Sequence, residues 1–372
     1  MKNLLLSLKT SLKKTPLLKI KRAWNENFSQ PTIISPWIYP NDDKLQKVLL
    51  VCVESSFNQK IPNAIYYTPL NFAQGWAESS GPVKFIHVKN LFKEIDNYNN
   101  PAIFICQHNY RHFSFSEARK LRGKNVFAWV APHPRALKDY ELLNPLLPEH
   151  ETNLYLDGYA KLIVSEPKFV WSSVGKAANR FYDDWTNDGF IFHRIFPGAN
   201  SSIYYPDYSE MYKKIKIAYV GGYWEEKSIS LNRYFRPIEN IFTPFGYNVW
   251  PYKNYAGKLT ESEERRLYSS AGLIPLLHGP AGWSIAEITE RYLKAPACGA
   301  FCIGDENPAL REIFSEDEML QATSSDHFQY LVNEFIAGKI DIEYWKKASY
   351  SAILDRHLVK HRGFQILKAL EI

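Results

Sequence analysis

The sequence predicts an α/β protein of two domains, each built on a parallel sheet, with a cleft between them. Three observations carry that expectation. The chain has 372 residues, and at about 100–200 residues per domain this is room for two. Short apolar, β-branched runs recur at Lys47–Val53, Lys84–Val88, Ala102–Gln107, Asn125–Val130, Lys161–Ser165 and Phe190–Phe196. Helix-like stretches such as Ser114–Arg122 lie between several of them, the alternation expected of strands buried on both faces of a parallel sheet. After Phe196 the chain enters PGANSSIYYPDYSEMYKK, which reads as an inter-domain linker, and a new strand opens at Lys216.

The second half repeats the alternation. IAYVGG, from Ile217, is a strand ending in a glycine turn, Leu231–Phe242 reads as a helix and Tyr247–Tyr252 as a strand. Thr260–Ser270 reads as a helix opened by the Thr260/Glu263 capping box, and GLIPLLHG as a short strand. Ser284–Ala295 reads as a helix with Ser284 and Glu287 forming a second box. GAFCIGD is a strand, NPALREIFS a helix, Glu318–Ala322 a short strand, His327–Ile336 a helix, and Ile342 onward a long terminal helix. This is a second Rossmann-like domain. In open α/β sheets ligands sit beyond the strand carboxyl ends, which points to the loops after Val220, Leu277 and Ile303.

Composition excludes several classes. Hydrophobic residues are 45% and charged residues 23%, ordinary globular values that rule out a mainly disordered or collagen-like chain. No run approaches the roughly 20 apolar residues of a membrane span. The four cysteines, Cys52, Cys106, Cys298 and Cys302, form no CxxC pair, which argues against a zinc ribbon and fits reduced thiols. Residues 1–22 hold seven basic residues and no acid, so the net charge of +6 becomes −1 once that segment is set aside. A nearly neutral body argues against nucleic acid as a partner. Leu4, Leu5, Leu8 and Leu12 fall near helical spacing between the lysines, with Pro16 interrupting. Residues 1–22 therefore read either as a contact to an anionic membrane surface or as a basic tail on the chain's own domain.

Two motifs carry chemistry. Gly221 and Gly222, followed by Tyr223, end a strand where a phosphate can approach the backbone; a plain tight turn explains them as well. No G-x-G-x-x-G or G-x-x-x-x-G-K-[ST] is present, so dinucleotide oxidoreductases and P-loop enzymes lose support. Residues 278–305 begin with His278 and a Gly/Pro loop through Gly282, followed by a helix N-terminus at Ser284, a natural pyrophosphate site. Glu287, Glu290, Arg291 and Lys294 share one side of that helix, where a solvated face of ion pairs is the alternative reading.

The run Arg291-Tyr-Leu-Lys-Ala-Pro-Ala-Cys-Gly-Ala-Phe301 resembles the R-x-F-E-x-P-A-C-G-A-F signature of CgeB-like glycosyltransferases. IAYVGGYWEEK (217–227), NPALREIFSEDE and His357-Leu-Val-Lys-His-Arg362 resemble further family stretches in order, over roughly residues 195–368. The resemblance implies the GT-B fold, two Rossmann-like domains with parallel sheets facing a central cleft, and a group 1-like C-terminal domain. Beyond the basic segment, taken as 1–30 from its charge, the expected division is an acceptor domain over 31–200, a nucleotide-sugar domain over 201–355, and a helix over 356–372 placed to cross back. One position departs: Lys294 stands where the family has a glutamate, which in many GT-B enzymes holds the ribose. Either Glu290 takes over that role or the donor is gripped differently. Thr289-Glu290-Arg291 also loosely resembles the T-E-K helix of α-1,3-fucosyltransferases. Within residues 201–355 no E-x7-E pair is present, so retaining and inverting outcomes both stay open.

The activity implied is hexosyl-type transfer from a nucleotide-sugar donor to a glycan or lipid-linked acceptor in cell-surface polysaccharide synthesis. The expected place is the cytoplasm, with peripheral attachment at the inner membrane face as the variant that residues 1–22 would add. No Asp-x-Asp is present, and neither metal nor cofactor is expected. The developing diphosphate charge needs fixed positive partners: Arg291, the Ser284 helix end and the Gly221–Gly222 amides, with Lys227 and Lys294 as further cations. A general base would come from the N-terminal strand ends, where Glu54, His108 and His133 stand; a base near working pH favours histidine. Each also has a plain structural reading, as a cap or a loop residue. Trp224 and Trp283 follow the two loops and could stack on a sugar or base. Two alternatives share the architecture: an epimerase-like nucleotide-sugar enzyme, and a catalytically silent binding protein.

Overall fold

The computed structural model describes residues 37–371 apart from 41, 43, 45, 55–62, 145–155, 157 and 247. The basic segment 1–30, and with it the membrane expectation for residues 1–22, lies outside the described residues. Among the described residues no helix is long and apolar enough to cross a membrane.

The N-terminal sheet follows from apolar runs short enough to be strands and too apolar to face water. It comprises β1 (Trp37–Ile38), β2 (Leu49–Val53), β3 (Val83–His87), β4 (Ala102–Cys106), β5 (Asn125–Trp129), β6 (Phe169–Ser172) and β7 (Phe192–Arg194), in the order β1-β3-β2-β4-β5-β6-β7. All pairs are parallel except β1 with β3. Strand alternation sends Leu50, Cys52, Ile103, Ile105 and Val126 into one core, and Leu49, Val51, Phe104, Phe127 and Trp171 into the other. Both faces are covered, as a parallel sheet requires.

The second sheet holds β8 (Ile217–Val220), β9 (Phe242–Phe245), β10 (Ile274–Leu276), β11 (Cys302–Gly304) and β12 (Leu320–Gln321). β9 pairs with β8, β10 with β11, and β11 with β12, all parallel. A parallel bridge from Ile217 to Leu273 joins the two parts, so the strands run β9-β8-β10-β11-β12. Ile217 and Tyr219 enter one core while Ala218, Ile274 and Leu276 enter the other.

The helices used below are α1 (Asn63–Ser79), α2 (Leu137–Leu143), α3 (Tyr159–Ser165), α4 (Asn179–Asn187), α5 (Glu225–Phe235), α6 (Glu261–Ser270), α7 (Pro280–Ser284), α8 (Arg291–Ala297), α9 (Ser325–Ile336), α10 (Ile342–Arg356) and α11 (Val359–Leu370). The Thr260/Glu263 box opens α6 with both of its hydrogen bonds made. The chain crosses between domains twice, and the crossings lie side by side. Ala199 N–H donates to His357 O at 2.7 Å and Val359 N–H to Ala199 O at 2.9 Å. Arg362 Nε reaches Pro197 O at 3.0 Å, and the Asn71 side chain clasps both backbone groups of Gly198. Beyond the crossing α11 lies on α1 with the backbones nearly touching: a Cβ on Gly75 would stand 2.2 Å from Val359 O.

Four local expectations are corrected. Lys161–Ser165 belongs to helix α3, and the strand is the next run, Phe169–Ser172; a short buried apolar run does not distinguish the two by periodicity. Of the expected strand Tyr247–Tyr252, residues 248–252 are described and are not a strand. The strand is Phe242–Phe245, and it tolerates Pro244 because β9 is the sheet edge. Ser284–Ala295 is not one helix: α7 ends at Ser284 and α8 begins at Arg291, with Ala286 between them at φ +48°, a left-handed conformation uncommon outside glycine. The stretch from Ile342 is two helices with a break at His357–Leu358.

Candidate active site

The strand orders locate the site. In each sheet the order reverses once, between β2 and β4 in the first and between β8 and β10 in the second. Crossovers leave such a point in opposite directions and open a crevice beyond the strand carboxyl ends. Glu54 follows β2 and His108 stands two residues after β4; Gly221 follows β8 and His278 stands two residues after β10.

At the second reversal Arg291, the first residue of α8, lies across the seam. Its Nη1 donates to the Tyr219 hydroxyl at 2.9 Å and to Leu277 O at 3.0 Å. The guanidinium carbon stands 4.7 Å from the centre of the Tyr219 ring, a cation–π contact. A Cβ on Gly221 would lie 2.8 Å from Arg291 Nη2. The Gly221 N–H is already spent on Phe245 O at 2.9 Å, and its carbonyl accepts the Trp250 indole N–H at 3.0 Å. Gly221 thus admits the arginine rather than presenting an amide, which corrects the expected phosphate loop there. Trp224 lies over Gly222, and the Tyr223 N–H donates to Asn248 Oδ1 at 2.9 Å. Tyr223 packs against Trp250 in its own domain, so it scaffolds the turn.

The loop after β10 closes the other side. The His278 Nδ1 accepts the Gly279 N–H at 2.8 Å, so the ring proton sits on Nε2, 3.2 Å from Glu287 Oε2. A Cβ on Gly282 would stand 2.0 Å from that Nδ1, and one on Gly279 would lie 2.9 Å from Lys227 Cγ. Burial acts to raise the Glu287 pKa, but the His278 hydrogen bond and the electrostatic attraction of His278 and Lys227 prevail and hold it below the usual range. Ser284 ends a helix instead of starting one. Its hydroxyl donates to Ala281 O at 2.7 Å and accepts from Asn144 Nδ2 at 3.1 Å, which corrects the expected anion site at its amide. Glu290 precedes α8, and Lys294 Nζ lies 3.7 Å from its Oε1. Lys294 is otherwise buried, 4.9 Å from the Tyr204 ring centre, and lines a cavity of about 30 Å³ with Asn71, Asn200 and Glu261. Its ammonium is engaged away from the Gly221–Arg291 seam.

Asp305, one residue beyond β11, ties these pieces together; no residue was singled out in that loop from the sequence. Its carboxylate accepts from His278 N–H, Trp283 Nε1 and the Tyr292 hydroxyl. Burial pushes its pKa up against those hydrogen bonds. This side of the seam also meets the N-terminal domain directly: Gly175 N–H donates to Ala286 O at 2.8 Å and Ile288 N–H to Ser173 O at 3.0 Å. That pairing is why residues 285–288 leave the helix.

At the first reversal Glu54 and His108 do meet. Arg111 Nη2 stands 2.7 Å from Glu54 Oε2, while His112 Nε2 at 3.2 Å and His108 Nε2 at 3.7 Å face Oε1. Arg111 and His112 were not singled out from the sequence; their signal is proximity to His108 after a strand end. His133 is corrected. It is 0% exposed, with Nδ1 accepting the Arg135 N–H at 3.2 Å and Nε2 at 3.0 Å from both Tyr159 OH and Asp188 Oδ2. Burial lowers its pKa despite Asp188. A ring without exposed surface caps the 134–136 turn and does not meet an acceptor. Among the described residues no group of three or more His, Cys, Asp or Glu side chains is placed to hold a metal ion.

Solved structures share this fold. Sucrose-phosphate synthase from Thermosynechococcus elongatus aligns at a TM-score of 0.56 and 13% identity, over 88% of this chain and 98% of that one. Anabaena HepE in complex with UDP and glucose aligns at 0.56 and 10%, over 88% and 100%. A glycosyltransferase from Rickettsia africae aligns at 0.57 and 10%, over 88% and 98%. The fold is GT-B. Residues 209–368 match the family described as "Glycosyl transferase-like", so the glycosyl transferase-like region is the C-terminal one that carries Gly221, His278 and Arg291. No curated protein matches the sequence.

Proposed function

We propose that the protein is a glycosyltransferase that moves a sugar from a nucleoside-diphosphate sugar to a hydroxyl of a glycan or lipid-linked acceptor. The observation that carries this is the Arg291 guanidinium fixed at the β8/β10 reversal, against the glycine that makes room for it. The acceptor oxygen bonds to the anomeric carbon as the bond from that carbon to the diphosphate oxygen breaks. The electron pair leaves with the diphosphate, whose growing charge Arg291 and Lys227 meet; a planar guanidinium suits a diphosphate. The acceptor proton passes to His108, and Glu54 stabilises the imidazolium. Charge compensation by side chains makes transfer independent of a metal. HepE was solved with UDP-glucose at a TM-score of 0.58, which makes UDP the first nucleotide to try.

The CgeB-like motif favours a role in cell-surface polysaccharide synthesis. Residues 1–22, with seven basic residues and no acid, favour work at an anionic cytoplasmic membrane face.

The test is a thermal-shift screen against UDP, GDP, CMP, TDP and their sugars, with EDTA and then with Mg²⁺. A ligand at about 100 times its Kd adds about 2.7 kcal/mol of stability, so a true donor gives a clear shift with EDTA present. Absence of a shift with every nucleotide overturns the reading in favour of a silent GT-B protein.

A further inference from the structure

Asp305 is 1% exposed, and four hydrogen bonds converge on its carboxylate. Oδ2 accepts the His278 N–H at 2.7 Å and the Trp283 indole N–H at 2.5 Å; Oδ1 accepts the Tyr292 hydroxyl at 2.7 Å and the Asn307 N–H at 3.3 Å. Its backbone is fixed as well: the N–H donates to Leu276 O at 3.0 Å, and the carbonyl accepts from Gln321 Nε2 at 2.9 Å. The donors come from three separate pieces of chain. These are the turn 278–284, helix α8 one residue past Arg291, and the loop after β11. Asn307 extends the tie to a fourth, its Nδ2 reaching Glu287 O at 2.6 Å.

A buried carboxylate is costly unless its lone pairs are filled. Apolar packing of the same volume would hold β10 to β11 at least as well. An acceptor that takes donors from both the turn and α8 does something apolar packing cannot: it fixes the turn's His278 and Trp283 at a set angle to Arg291. We propose that Asp305 is the positioning residue for the donor, fastening the His278–Ser284 turn to the helix of Arg291 so that both present one preformed surface to a nucleoside-diphosphate sugar. This rests on the Gly221–Arg291 seam being the donor site. Preformed surfaces bind with less ordering cost, so losing the fastening appears in donor affinity while the acceptor side, built on Glu54 and His108, is left as it was.

The experiment is calorimetric titration of UDP, or whichever nucleoside diphosphate shifts the wild type, into wild type, Asp305→Asn, Asp305→Ala, Trp283→Phe and Tyr292→Phe. Asparagine keeps an oxygen for His278 and Trp283, turns its NH₂ to the Tyr292 oxygen and gives up only the long Asn307 N–H contact, so Asp305→Asn is expected within about fivefold of wild type. Asp305→Ala is expected to bind roughly 10- to 100-fold more weakly. Trp283→Phe and Tyr292→Phe should each weaken binding several-fold, and their double variant by less than the product, because both act through one carboxylate. Folded Asp305→Ala that binds within about twofold of wild type overturns the proposal. If Asp305→Ala does not fold, the two phenylalanine variants decide, and affinity within about twofold for both overturns it. A wild type that binds no nucleoside diphosphate brings down the functional reading and this proposal together; a binding wild type with indifferent variants brings down Asp305 alone.

Discussion

Gly221 and Arg291 occupy one space: a Cβ on the glycine would lie 2.8 Å from the arginine's Nη2 and equally close to the Tyr219 ring. The guanidinium sits at the end of a flexible side chain and can swing aside, while the buried Tyr219 ring has to give slightly, an overpacking cost of about 1–3 kcal/mol. The displacement falls on what the arginine holds. Gly221→Ala is expected to melt within a few degrees of wild type yet bind nucleotide several-fold more weakly. Arg291→Ala should weaken it roughly 10- to 100-fold, the size of lost hydrogen bonds to a charged group. Titration calorimetry with a melt of each variant checks both. A Gly221→Ala protein of undiminished affinity would show that the position of Arg291 is not what the glycine protects.

The Glu54 cluster should separate chemistry from binding. Losing a general base typically costs about 10²- to 10⁴-fold in rate. His108→Ala is expected to lose transfer on that scale while keeping donor affinity, and Glu54→Gln to lose part of it by leaving the imidazolium unsupported. Donor hydrolysis, with water standing in for the acceptor hydroxyl, measures the rate; calorimetry measures the affinity. An unimpaired His108→Ala would hand the role to His112, which lies 3.2 Å from the same carboxylate oxygen.

The strand ends were legible in the sequence because buried parallel strands announce themselves as apolar runs, and ligand loops follow them. Glu54, His108, Gly221 and His278 were found that way, and Arg291 through its helix face and the resemblance of 291–301 to a family signature. What failed was local geometry decided from across the cleft. Ser284 and Glu287 have the spacing of a capping box, yet the backbone of residues 286–288 pairs with Ser173–Gly175. That pairing outweighs a capping preference of about 1 kcal/mol. Lys294 and His133 failed for a related reason: spacing placed them near the chemistry, but burial decides which way a side chain faces. Asp305 was missed although it directly follows a strand end, because only coordinates show how many donors converge on a carboxylate.

The crossing of α1 and α11 tests packing alone. A Cβ on Gly75 would meet the Val359 carbonyl oxygen at 2.2 Å, and one on Gly363 would meet the Gly75 carbonyl oxygen at the same distance. Both obstacles are backbone, which cannot swing aside. Gly75→Ala and Gly363→Ala are each expected to destabilise the protein by about 1–3 kcal/mol, the range for overpacked sites. Urea denaturation should show lower midpoints with the slope kept. Unchanged midpoints would mean that the two helices are not held this close in solution.

His357 makes stability depend on pH in a direction that can be worked out. Its Nδ1 accepts from Arg362 Nη2 at 2.7 Å, and its Nε2–H donates to Ile313 O at 2.9 Å, so the folded protein holds it neutral. Burial, with the Arg362 charge second, lowers its pKa to about 4. In the unfolded chain an ordinary histidine takes its proton near pH 6.5. Between those values the unfolded state binds more protons, so stability rises with pH across the window and is lost on acidification from about 6.5 to about 4. The full effect is about 3 kcal/mol for one histidine shifted this far. Glutamine can accept from Arg362 and donate to Ile313 O without titrating. Comparing denaturation of wild type and His357→Gln from pH 7 to pH 4 isolates the term from the carboxylates that also titrate there. The wild type should lose more stability by roughly that amount, and parallel curves would mean that His357 is not buried neutral at the domain crossing.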